Sequence, residues 1–373
     1  MFTKKKIAIV SVINDLASDV RVSKTCDALL ETGYEVVLIG RRLPNSPELQ
    51  KRKYKCIRMK LLFTKGPSFY FFFNLRLFFF LLSKDAALYF ANDLDTLLPN
   101  YLVAKLRGKA LIYDSHEIFC EVPELQSTPL KKKIWQKLEK AIVPKLKYCV
   151  TVNKGIADYF EKLYGTPFVS IRNIPPRTNY SRIKTKEELH LPLNKKIILL
   201  QGAGINVDRG AEELMKAMNY LNDVLLLIIG SGDVWKQLEK LSAAMPEKIR
   251  MIKRIPKEEL IHYTANADIG LSIDKNTNLN YRYSLPNKIF DYLQMGTPIL
   301  AGNLPEIASI ITQYGVGEFI RSHDPKMLAQ DIEKMLRSDR LPVYRQNALK
   351  AAAELSWENE KSQLIALIQK AST

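Results

Sequence analysis

The chain has 373 residues, which is too long for one typical domain and suits two. It carries 56 lysines and arginines against 39 acidic residues, a net charge of +17, and residues 1–176 alone hold 29 basic and 16 acidic residues. The first half is therefore predicted to meet an anionic partner, which is an anionic membrane, a phosphorylated lipid or nucleic acid. Four scattered cysteines without C-x-x-C spacing indicate neither a zinc site nor a disulfide framework, so a reducing cytoplasm is the simplest compartment.

Short β-branched runs alternate with helical patterns through the first 176 residues, which is typical of βαβ units. The apolar run after Lys6 is too short for a signal peptide and lacks a cleavage site, so we interpret it as the first buried strand, at 6–13. Further strands are predicted at 35–39, 86–90, 110–113, 148–152 and 168–171, with helices at 22–32 and 95–106.

Two segments of this half are candidates for membrane contact. Residues 69–82 form a mostly aromatic block, too short to span a bilayer, which is either a core helix or a helix lying on a membrane. Residues 131–147 predict a basic amphipathic helix with Trp135 as an interfacial residue. Such a helix presents either a solvated basic face or a surface for anionic lipid.

The second half repeats the strand pattern after a break. Residues 173–194 contain three prolines and many charges, which indicates a hinge or linker. The strands of the second series are predicted at 196–201, 224–229, 249–252, 269–273 and 298–301. We therefore predict an α/β protein of two doubly wound domains, residues 1–176 and 195–355, joined by a linker at 177–194.

Glycine-rich loops follow the first two strands of the second series. Ligands of open parallel sheets bind beyond the carboxyl ends of the strands, where Gly202 and Gly204 allow close backbone approach. Arg209, at the end of that loop, can clamp a phosphate in a bidentate manner. Gly230 begins a second Gly-x-Gly. Neither loop continues as G-x-G-x-x-G and the chain has no Walker A run, so a dinucleotide dehydrogenase and a nucleoside triphosphatase are disfavoured.

A turn, an amphipathic helix and a helix stop are predicted for Ser284-Leu-Pro-Asn-Lys-Ile-Phe-Asp-Tyr-Leu-Gln-Met-Gly-Thr-Pro298. Pro286 suits the first turn of a helix. Asn287 and Lys288 follow where unpaired backbone N–H groups attract anions, so a diphosphate would fit there. Asp291 lies one turn further on and can bind ribose or sugar hydroxyls.

The first half places a histidine at the equivalent edge. Tyr113-Asp-Ser-His-Glu117 follows a predicted strand, and His116 can hydrogen-bond a sugar hydroxyl or stabilise a departing diphosphate. Asp93 and Asp95 precede a predicted helix, and we expect one of them to be its N-cap rather than a metal ligand.

Residues 284–298 resemble the nucleotide-sugar signature of GT-B glycosyltransferases of the family 4 type. Members of that family commonly read Pro-Asn-Lys-Leu-Phe-Glu-Tyr, followed five residues after the acid by Gly-x-Pro. In this register the second family glutamate falls on Asp291 and the first on Tyr283, which cannot supply a charge. Asp19-Val-Arg21 also resembles a family segment.

The resemblance assigns roles to individual residues. Arg209 fills the place of the family lysine and is predicted to bind the diphosphate together with Lys288, while His116 meets the donor sugar. These three are the predicted catalytic residues. Predicted nucleotide-sugar contacts are Gly202, Gly204, Gly230, Arg254, Ser284, Leu285, Pro286, Asn287 and Asp291. Further candidates are Glu117, Asp19 and Tyr283.

The resemblance spans nearly the whole chain and implies two Rossmann-like domains of the GT-B fold, with the nucleotide-sugar site in the cleft between them. Residues 356–373 would form a helix returning toward the first domain. The implied activity is sugar transfer from a nucleoside diphosphate-sugar to a lipid-linked or saccharide acceptor, with retention and with no metal or other cofactor. The implied setting is cell-surface polysaccharide or glycoconjugate synthesis.

Two alternatives stay open at this point. A nucleotide-sugar 2-epimerase of the same architecture would need further acids and bases, which four histidines make hard to provide. A non-catalytic module that binds membrane or nucleic acid would use only the basic first half, and the intact Pro-Asn-Lys and Arg-Gly loops argue against it. We expect a cytoplasmic enzyme attached peripherally to the inner face of the cell membrane, with no nucleic acid partner.

Overall fold

The computed structural model describes residues 6–17, 19–177 and 182–372. Residues 178–181 of the predicted linker lie outside the described residues. The chain divides into two compact units, one of residues 1–173 with 359–373, and one of residues 174–358. The part of the predicted linker around Leu189 and Leu191 packs into the core of the second unit.

The first unit is built on a seven-stranded parallel sheet of order β3-β2-β1-β4-β5-β6-β7. Its strands are β1 (Ile7–Asp15), β2 (Glu35–Arg42), β3 (Lys55–Lys60), β4 (Leu88–Asn92), β5 (Ala110–Ser115), β6 (Tyr148–Thr151) and β7 (Val169–Ser170). Its helices include α1 (Val20–Glu31), α2 (Gly66–Leu82), α3 (Leu94–Arg107), α4 (Pro123–Gln126), α5 (Pro129–Ile142) and α6 (Lys154–Tyr164). The central strand β4 is buried throughout, as expected where helices cover both faces of a parallel sheet.

The second unit has a six-stranded parallel sheet of order β10-β9-β8-β11-β12-β13. Its strands are β8 (Lys196–Gly202), β9 (Val224–Gly230), β10 (Ile249–Lys253), β11 (Ile269–Ser272), β12 (Ile299–Ala301) and β13 (Gly317–Phe319). Its helices are α7 (Ala211–Ala217), α8 (Trp235–Ser242), α9 (Lys257–Asn266), α10 (Leu279–Arg282), α11 (Asn287–Gln294), α12 (Pro305–Tyr314), α13 (Pro325–Leu336) and α14 (Leu341–Glu354). Alternate residues of β8 enter separate buried clusters on the two faces, Leu200 in one and Leu199 in the other.

The last helix, α15 (Trp357–Ser372), lies almost entirely in the first unit. Glu360 accepts hydrogen bonds from the backbone and the guanidinium of Arg172, with a shortest distance of 2.6 Å. The Tyr34 hydroxyl lies 2.7 Å from the Ser372 hydroxyl. These contacts fix the carboxyl-terminal helix to the segment after β7 and to the turn between α1 and β2.

The predicted α/β class with two doubly wound sheets is confirmed. In each sheet the chain moves outward from its first strand and then returns to that strand's other side, so β1 separates β2 from β4 and β8 separates β9 from β11. Loops diverge at such a switch point, and the carboxyl ends of the strands there form a natural ligand site.

Two local features differ from the predictions, whereas Gly296 ends its helix as predicted. Strands β3 and β13 were not predicted, because each is an edge strand with polar residues and neither shows a continuous apolar run. Pro286 lies at the N-cap position of α11 rather than within its first turn. Gly296 has a left-handed φ of 64°, as a residue that follows a helix end often does.

The aromatic segment forms α2 and buries only one of its faces. Phe69, Phe73, Leu77 and Leu81 recur every fourth residue and pack into the core. Phe71 and Phe79 point away from it, with about 60% of each side chain exposed. Across the described residues, no helix combines the length and the hydropathy needed to cross a bilayer.

Candidate functional site

A cavity of about 370 Å³ lies at the carboxyl ends of β8 and β9 and beside the start of α11. It brings together most of the predicted nucleotide-sugar residues. Those that line it are Gly202, Gly204, Arg209, Gly230, Arg254, Pro286, Asn287, Lys288 and Asp291. Residues from separate loops therefore converge on one small space.

Glycines let the two loops of this cavity touch. A Cβ on Gly230 would lie 1.8 Å from the carbonyl oxygen of Gly202, and one on Gly232 would lie 1.9 Å from that of Ile205. No side chain can replace hydrogen at those distances. Gly204 has open space around it, so packing does not require glycine there.

Two cations of the cavity share one buried carboxylate, that of Asp274. Arg209 Nη1 lies 3.1 Å from Asp274 Oδ1, and Lys288 Nζ lies 3.9 Å from Oδ2. The Arg209 guanidinium also stacks over the ring of Tyr281, 4.3 Å from its centroid. Gly210 makes this approach possible, because a Cβ there would lie 2.5 Å from the carbonyl oxygen of Ile273.

The pair of cations is electrostatically unequal. Burial acts to lower the pKa of Arg209, but Asp274 and Tyr281 outweigh it and raise the pKa. Burial lowers the pKa of Lys288, with Asp274 opposing the shift and Arg209 adding to it. Two cations against one acid leave a surplus positive charge, so the site can accept an anion.

Asp291 is held in place from two sides. Its Oδ1 lies 3.0 Å from Lys257 Nζ, and its Oδ2 accepts a hydrogen bond of 3.2 Å from Gln201 Nε2. The buried Gln201 is itself fixed, because its Oε1 accepts a hydrogen bond of 2.8 Å from the hydroxyl of Thr264. A carboxylate oriented in this way can accept hydrogen bonds from vicinal hydroxyls.

The start of α11 completes the cavity. Pro286 supplies no side-chain cap, so the first-turn N–H groups at Asn287 and Lys288 lie at the cavity with the positive end of the helix dipole. Three other predicted residues do not line it: Ser284, Leu285 and Tyr283. Leu285 packs against the core, and Ser284 has a buried hydroxyl with no hydrogen-bond partner in the structure.

In the first unit, His116 follows β5 and lies between two carboxylates. Its Nδ1 is 3.2 Å from Asp93 Oδ2, and its Nε2 is 3.5 Å from Asp114 Oδ2 and 3.3 Å from Asn92 Oδ1. Burial alone would lower its pKa, but Asp93 and Asp114 outweigh burial and raise the pKa to about 9. His116 is therefore an imidazolium at neutral pH, a hydrogen-bond donor from both nitrogens.

Asp114 is fixed by a buried ion pair with Arg21. The Arg21 Nε and Nη2 donate to the two Asp114 oxygens over 2.9 and 2.7 Å, and Nη1 donates to the Ile171 carbonyl over 2.7 Å. Burial would raise the pKa of Asp114, but Arg21 and His116 hold it well below its usual range. This bidentate pair orients Asp114, and Asp114 in turn orients His116.

Asp19 and Asp93 each lie at the start of a helix. Asp19 caps α1, since its Oδ1 accepts a hydrogen bond of 3.1 Å from the Val22 backbone N–H. Asp93 is the N-cap residue of α3, as predicted for one of the two acids, but its side chain makes no cap hydrogen bond. Its carboxylate binds His116 instead, and its backbone has an unusual φ of 60°.

A second cavity, of about 950 Å³, lies beside this histidine cluster. Asp93 and Glu117 line it at the strand ends, and most of its remaining lining comes from α2, α3 and α5. Within the described residues, no three His, Cys, Asp or Glu side chains form a group that could hold a metal ion.

Four residues of these sites were missed by sequence reasoning. They are Asp274, Lys257, Gln201 and Arg21. Asp274 carried a usable signal, since it lies two residues beyond the end of β11 at the ligand edge of the sheet. Arg21 belongs to the Asp-Val-Arg segment that resembled the family, although nothing in the segment indicated a partner so distant in sequence.

Two family models match the chain. "Glycosyltransferase Family 4" matches residues 19–182, and "Glycosyl transferases group 1" matches residues 181–355. A curated relative, D-inositol 3-phosphate glycosyltransferase from Corynebacterium efficiens, is 23% identical over 222 residues, which is 56% of this chain and 50% of the relative. The chain spans about half the length of the curated relatives it matches.

Solved structures share the fold over nearly the full chain. Sucrose-phosphate synthase from Thermosynechococcus elongatus aligns with a TM-score of 0.77 and 18% identity, over 98% of this chain and 99% of the other. Anabaena HepE in complex with UDP aligns with a TM-score of 0.71 and 12% identity, over 98% and 100%. With both halves matched by glycosyltransferase families and this fold around them, the chain belongs to the family 4-like glycosyltransferases of the GT-B type.

Proposed function

We propose that this protein transfers a glycosyl group from a nucleoside diphosphate-sugar to a saccharide or lipid-linked acceptor. The observation that carries the proposal is the pairing of Arg209 and Lys288 on the single buried acid Asp274, at the uncapped start of α11. This arrangement is preorganised for a ligand with two negative charges, because the cations and the backbone N–H groups are already in place.

The rest of the cavity fits the remainder of such a donor. Asp291 would accept hydrogen bonds from the ribose hydroxyls. Lys257 would remain paired with the Asp291 carboxylate. The glycine loops allow the diphosphate to approach the backbone. Arg254, after β10, lines the same cavity and is assigned to the base.

The proposed chemistry is transfer with retention of the anomeric configuration. The bond between the sugar carbon and the diphosphate oxygen breaks, the acceptor oxygen bonds to that carbon on the same face, and a donor phosphate oxygen takes the acceptor proton. Arg209 and Lys288 stabilise the charge that develops on the leaving diphosphate. Among the described residues, Asp291 is the only acid that lines this cavity, and it is already assigned to ribose, so a covalent sugar intermediate has no carrier among these lining residues.

His116 is assigned to the donor sugar as a hydrogen-bond donor. A histidine with a pKa of about 9 is a poor general base at neutral pH, because it already carries the proton. It suits the stabilisation of negative charge or the orientation of a hydroxyl. Asp93 and Asp114 would keep its ring fixed during turnover.

Donor binding is tested by calorimetry with a panel of nucleoside diphosphates. Arg209→Ala and Asp291→Ala should each weaken binding about tenfold or more, because a charge-assisted contact contributes about 1.5–3 kcal/mol. Arg337→Ala is the matched control, since that exposed arginine pairs only with Glu333 across one helical turn. A wild-type protein that binds none of the panel would refute the proposal.

The mechanism has its own test. Product analysis by NMR should show the donor's anomeric configuration, and activity should survive EDTA. An inverted product would rule out same-face transfer, and loss of activity that only a divalent metal restores would rule out the assignment of charge stabilisation to Arg209 and Lys288.

We also propose that the protein works in the cytoplasm at the inner face of the cell membrane, in cell-surface polysaccharide or glycoconjugate synthesis. Support comes from α5, where Leu130 and Ile134 are exposed beside the exposed lysines Lys131, Lys133 and Lys137. Two other residues of α5 contact the protein itself. Lys132 pairs with Glu121 at 2.8 Å, and Trp135 packs between Tyr70 and Phe119 rather than projecting as an interfacial anchor.

A further inference from the structure

The larger cavity of the first unit is an apolar groove that ends in polar groups. Helices α2, α3 and α5 supply its walls through residues such as Phe71, Leu75, Leu98, Leu102 and Ile134. These apolar side chains are more than one third exposed, although they neighbour one another. Contiguous apolar exposure of this kind marks a binding surface more often than an ordinary protein exterior.

The polar end of the groove lies at the carboxyl ends of the sheet strands. Asn14 and Arg41 line it there, each one residue before the carboxyl end of β1 or β2, and Asp93 lines it directly after β4. The Asp95 side chain also lines the groove, is only 5% exposed, and has an Oδ1 with no hydrogen-bond partner in the structure. Buried polar atoms without partners are uncommon and call for a ligand group.

Arg41 supplies a cation at this end. Its guanidinium stacks on Phe69, 5.2 Å from the ring centroid, and its buried Nε has no hydrogen-bond partner in the structure. A guanidinium held by an aromatic ring, with a donor unused, is suited to an anionic oxygen such as that of a phosphate. Arg41 therefore places a cation at the polar end of a groove whose walls are mainly apolar, at the end that Asp93 and Asp95 also line.

The groove is continuous with the histidine cluster. Asp93 lines the groove with one part of its surface and holds His116 with its carboxylate, 3.2 Å from Nδ1. A ligand whose polar head lies at Asn14, Arg41 and Asp93 would thus have that head next to the residue assigned to the donor sugar. Its hydrocarbon part would extend along α2 and α3.

We propose that this groove binds the hydrocarbon chain of a lipid-phosphate acceptor, with the phosphate at Arg41 and the sugar-accepting group beside Asp93. The inference rests on the proposed glycosyl transfer and narrows its acceptor to a lipid that carries a phosphate. The lysines of α5 favour this occupant over a protein segment: Lys131 lines the groove together with Glu124, and the neighbouring exposed lysines of α5 would attract the anionic surface from which such a lipid is drawn. A volume of about 950 Å³ is ample for a single chain.

The probe is dodecyl phosphate below its micellar concentration, compared with dodecanol, and binding is measured by calorimetry. Leu102→Trp narrows the groove and should weaken dodecyl phosphate binding about tenfold or more. Leu106→Trp is the matched control, because Leu106 lies on the same helix, is 71% exposed and does not line the groove. Arg41→Gln should remove the preference for the phosphate over the alcohol, whereas Arg42→Gln, one residue on and exposed, should keep it.

Nucleoside diphosphate binding is measured on the same samples and should be unchanged in all four variants. If wild type binds nucleoside diphosphate but not dodecyl phosphate, the groove assignment is wrong and the proposed donor chemistry stands. If Leu102→Trp binds the probe as wild type does, the chain lies elsewhere, and if Arg41→Gln keeps the headgroup preference, Arg41 is not the phosphate ligand. If wild type does not bind nucleoside diphosphate, the proposed function itself is wrong.

Discussion

The two units share a sheet topology around their first strands, yet they line their cavities with different chemistry. The second unit has a cavity of about 370 Å³ bordered by glycine loops and basic side chains, and the first has one of about 950 Å³ bordered mainly by apolar helices. A small space that presents basic side chains suits a compact anion, whereas a larger and mainly apolar one suits hydrocarbon. The same strand-end position is thus specialised by the loops and helices placed around it.

Charge is balanced in opposite ways at the two sites. In the second unit one acid, Asp274, serves two cations, so the site carries surplus positive charge. In the first unit, two acids hold one histidine, and the Arg21 side chain compensates only Asp114. One site is therefore built to receive an anion, and the other to keep an imidazolium charged.

The largest expected effect comes from removing the acid that the two cations of the second unit share. Asp274→Asn would leave Arg209 and Lys288 close together without their shared acid, which should cost about 3–5 kcal/mol, as is typical for a broken buried ion pair. A bound nucleoside diphosphate would replace the missing charge, so it should raise the melting temperature of the variant more than that of wild type.

Thermal unfolding with and without nucleoside diphosphate measures both quantities. Asp339→Asn, at an exposed position of the same unit, controls for loss of a negative charge. Equal ligand-induced shifts in wild type and Asp274→Asn would mean that Asp274 does not compete with the diphosphate for the two cations.

The next effect tests the cationic histidine of the first unit. His116→Ala should lower kcat about a hundredfold, the usual scale for a group that stabilises developing charge or positions a proton, while nucleoside diphosphate affinity stays within about twofold. His262→Ala in α9 is the control histidine. A parallel loss of affinity and turnover would assign His116 to ground-state binding and remove the functional contrast between the units.

Much of the second-unit site could be predicted because its signals are local. Pro286 to Asp291 is one contiguous helix start, and the glycine loops follow strands whose apolar runs are easily recognised. Asp274 could not be assigned a partner, since its two cations come from the starts of two other helices. Pairing of that kind is decided by tertiary packing, which a pattern of residue types does not contain.

The first-unit site was harder to predict for the same reason. Asp93 has the sequence context of an N-cap, but its carboxylate binds His116, which lies 23 residues later. His116 offers that carboxylate both its backbone N–H and a ring N–H. Arg21 reaches Asp114 across 93 positions. Strand β3 was overlooked because its charged residues, tolerated at a sheet edge, hide its alternation.

A smaller effect is the pH dependence of the stability that His116 contributes to the first unit. The pKa of His116 is raised from about 6.5 to about 9, so its contribution to stability is fully present below pH 6.5 and is lost as the pH rises through 9. The loss should be at most about 1.4 kcal/mol per pH unit in this window. Chemical unfolding of wild type and His116→Gln at pH 6.5, 8 and 9.5 should show a stability difference that narrows with pH, and a constant difference would contradict the assigned pKa.

The smallest expected effect belongs to the basic face of the first unit. Lys131, Lys133 and Lys137 are exposed on α5, and each should add up to about 1 kcal/mol to binding of anionic vesicles. Their reversal to glutamate should abolish co-sedimentation at low salt, where screening is weakest, and leave nucleoside diphosphate binding intact.

The matched control reverses exposed lysines of the second unit instead of those on α5. Lys216 on α7 and Lys236 and Lys240 on α8 are exposed, and reversing these three adds the same negative charge to the second unit without touching α5. Because the first half of the chain carries most of the net positive charge, this control should still sediment with anionic vesicles. An equal loss of co-sedimentation in both variants would mean that total charge, and not the face of α5, governs the association. If wild type does not bind anionic vesicles at low salt, the proposed membrane association is wrong.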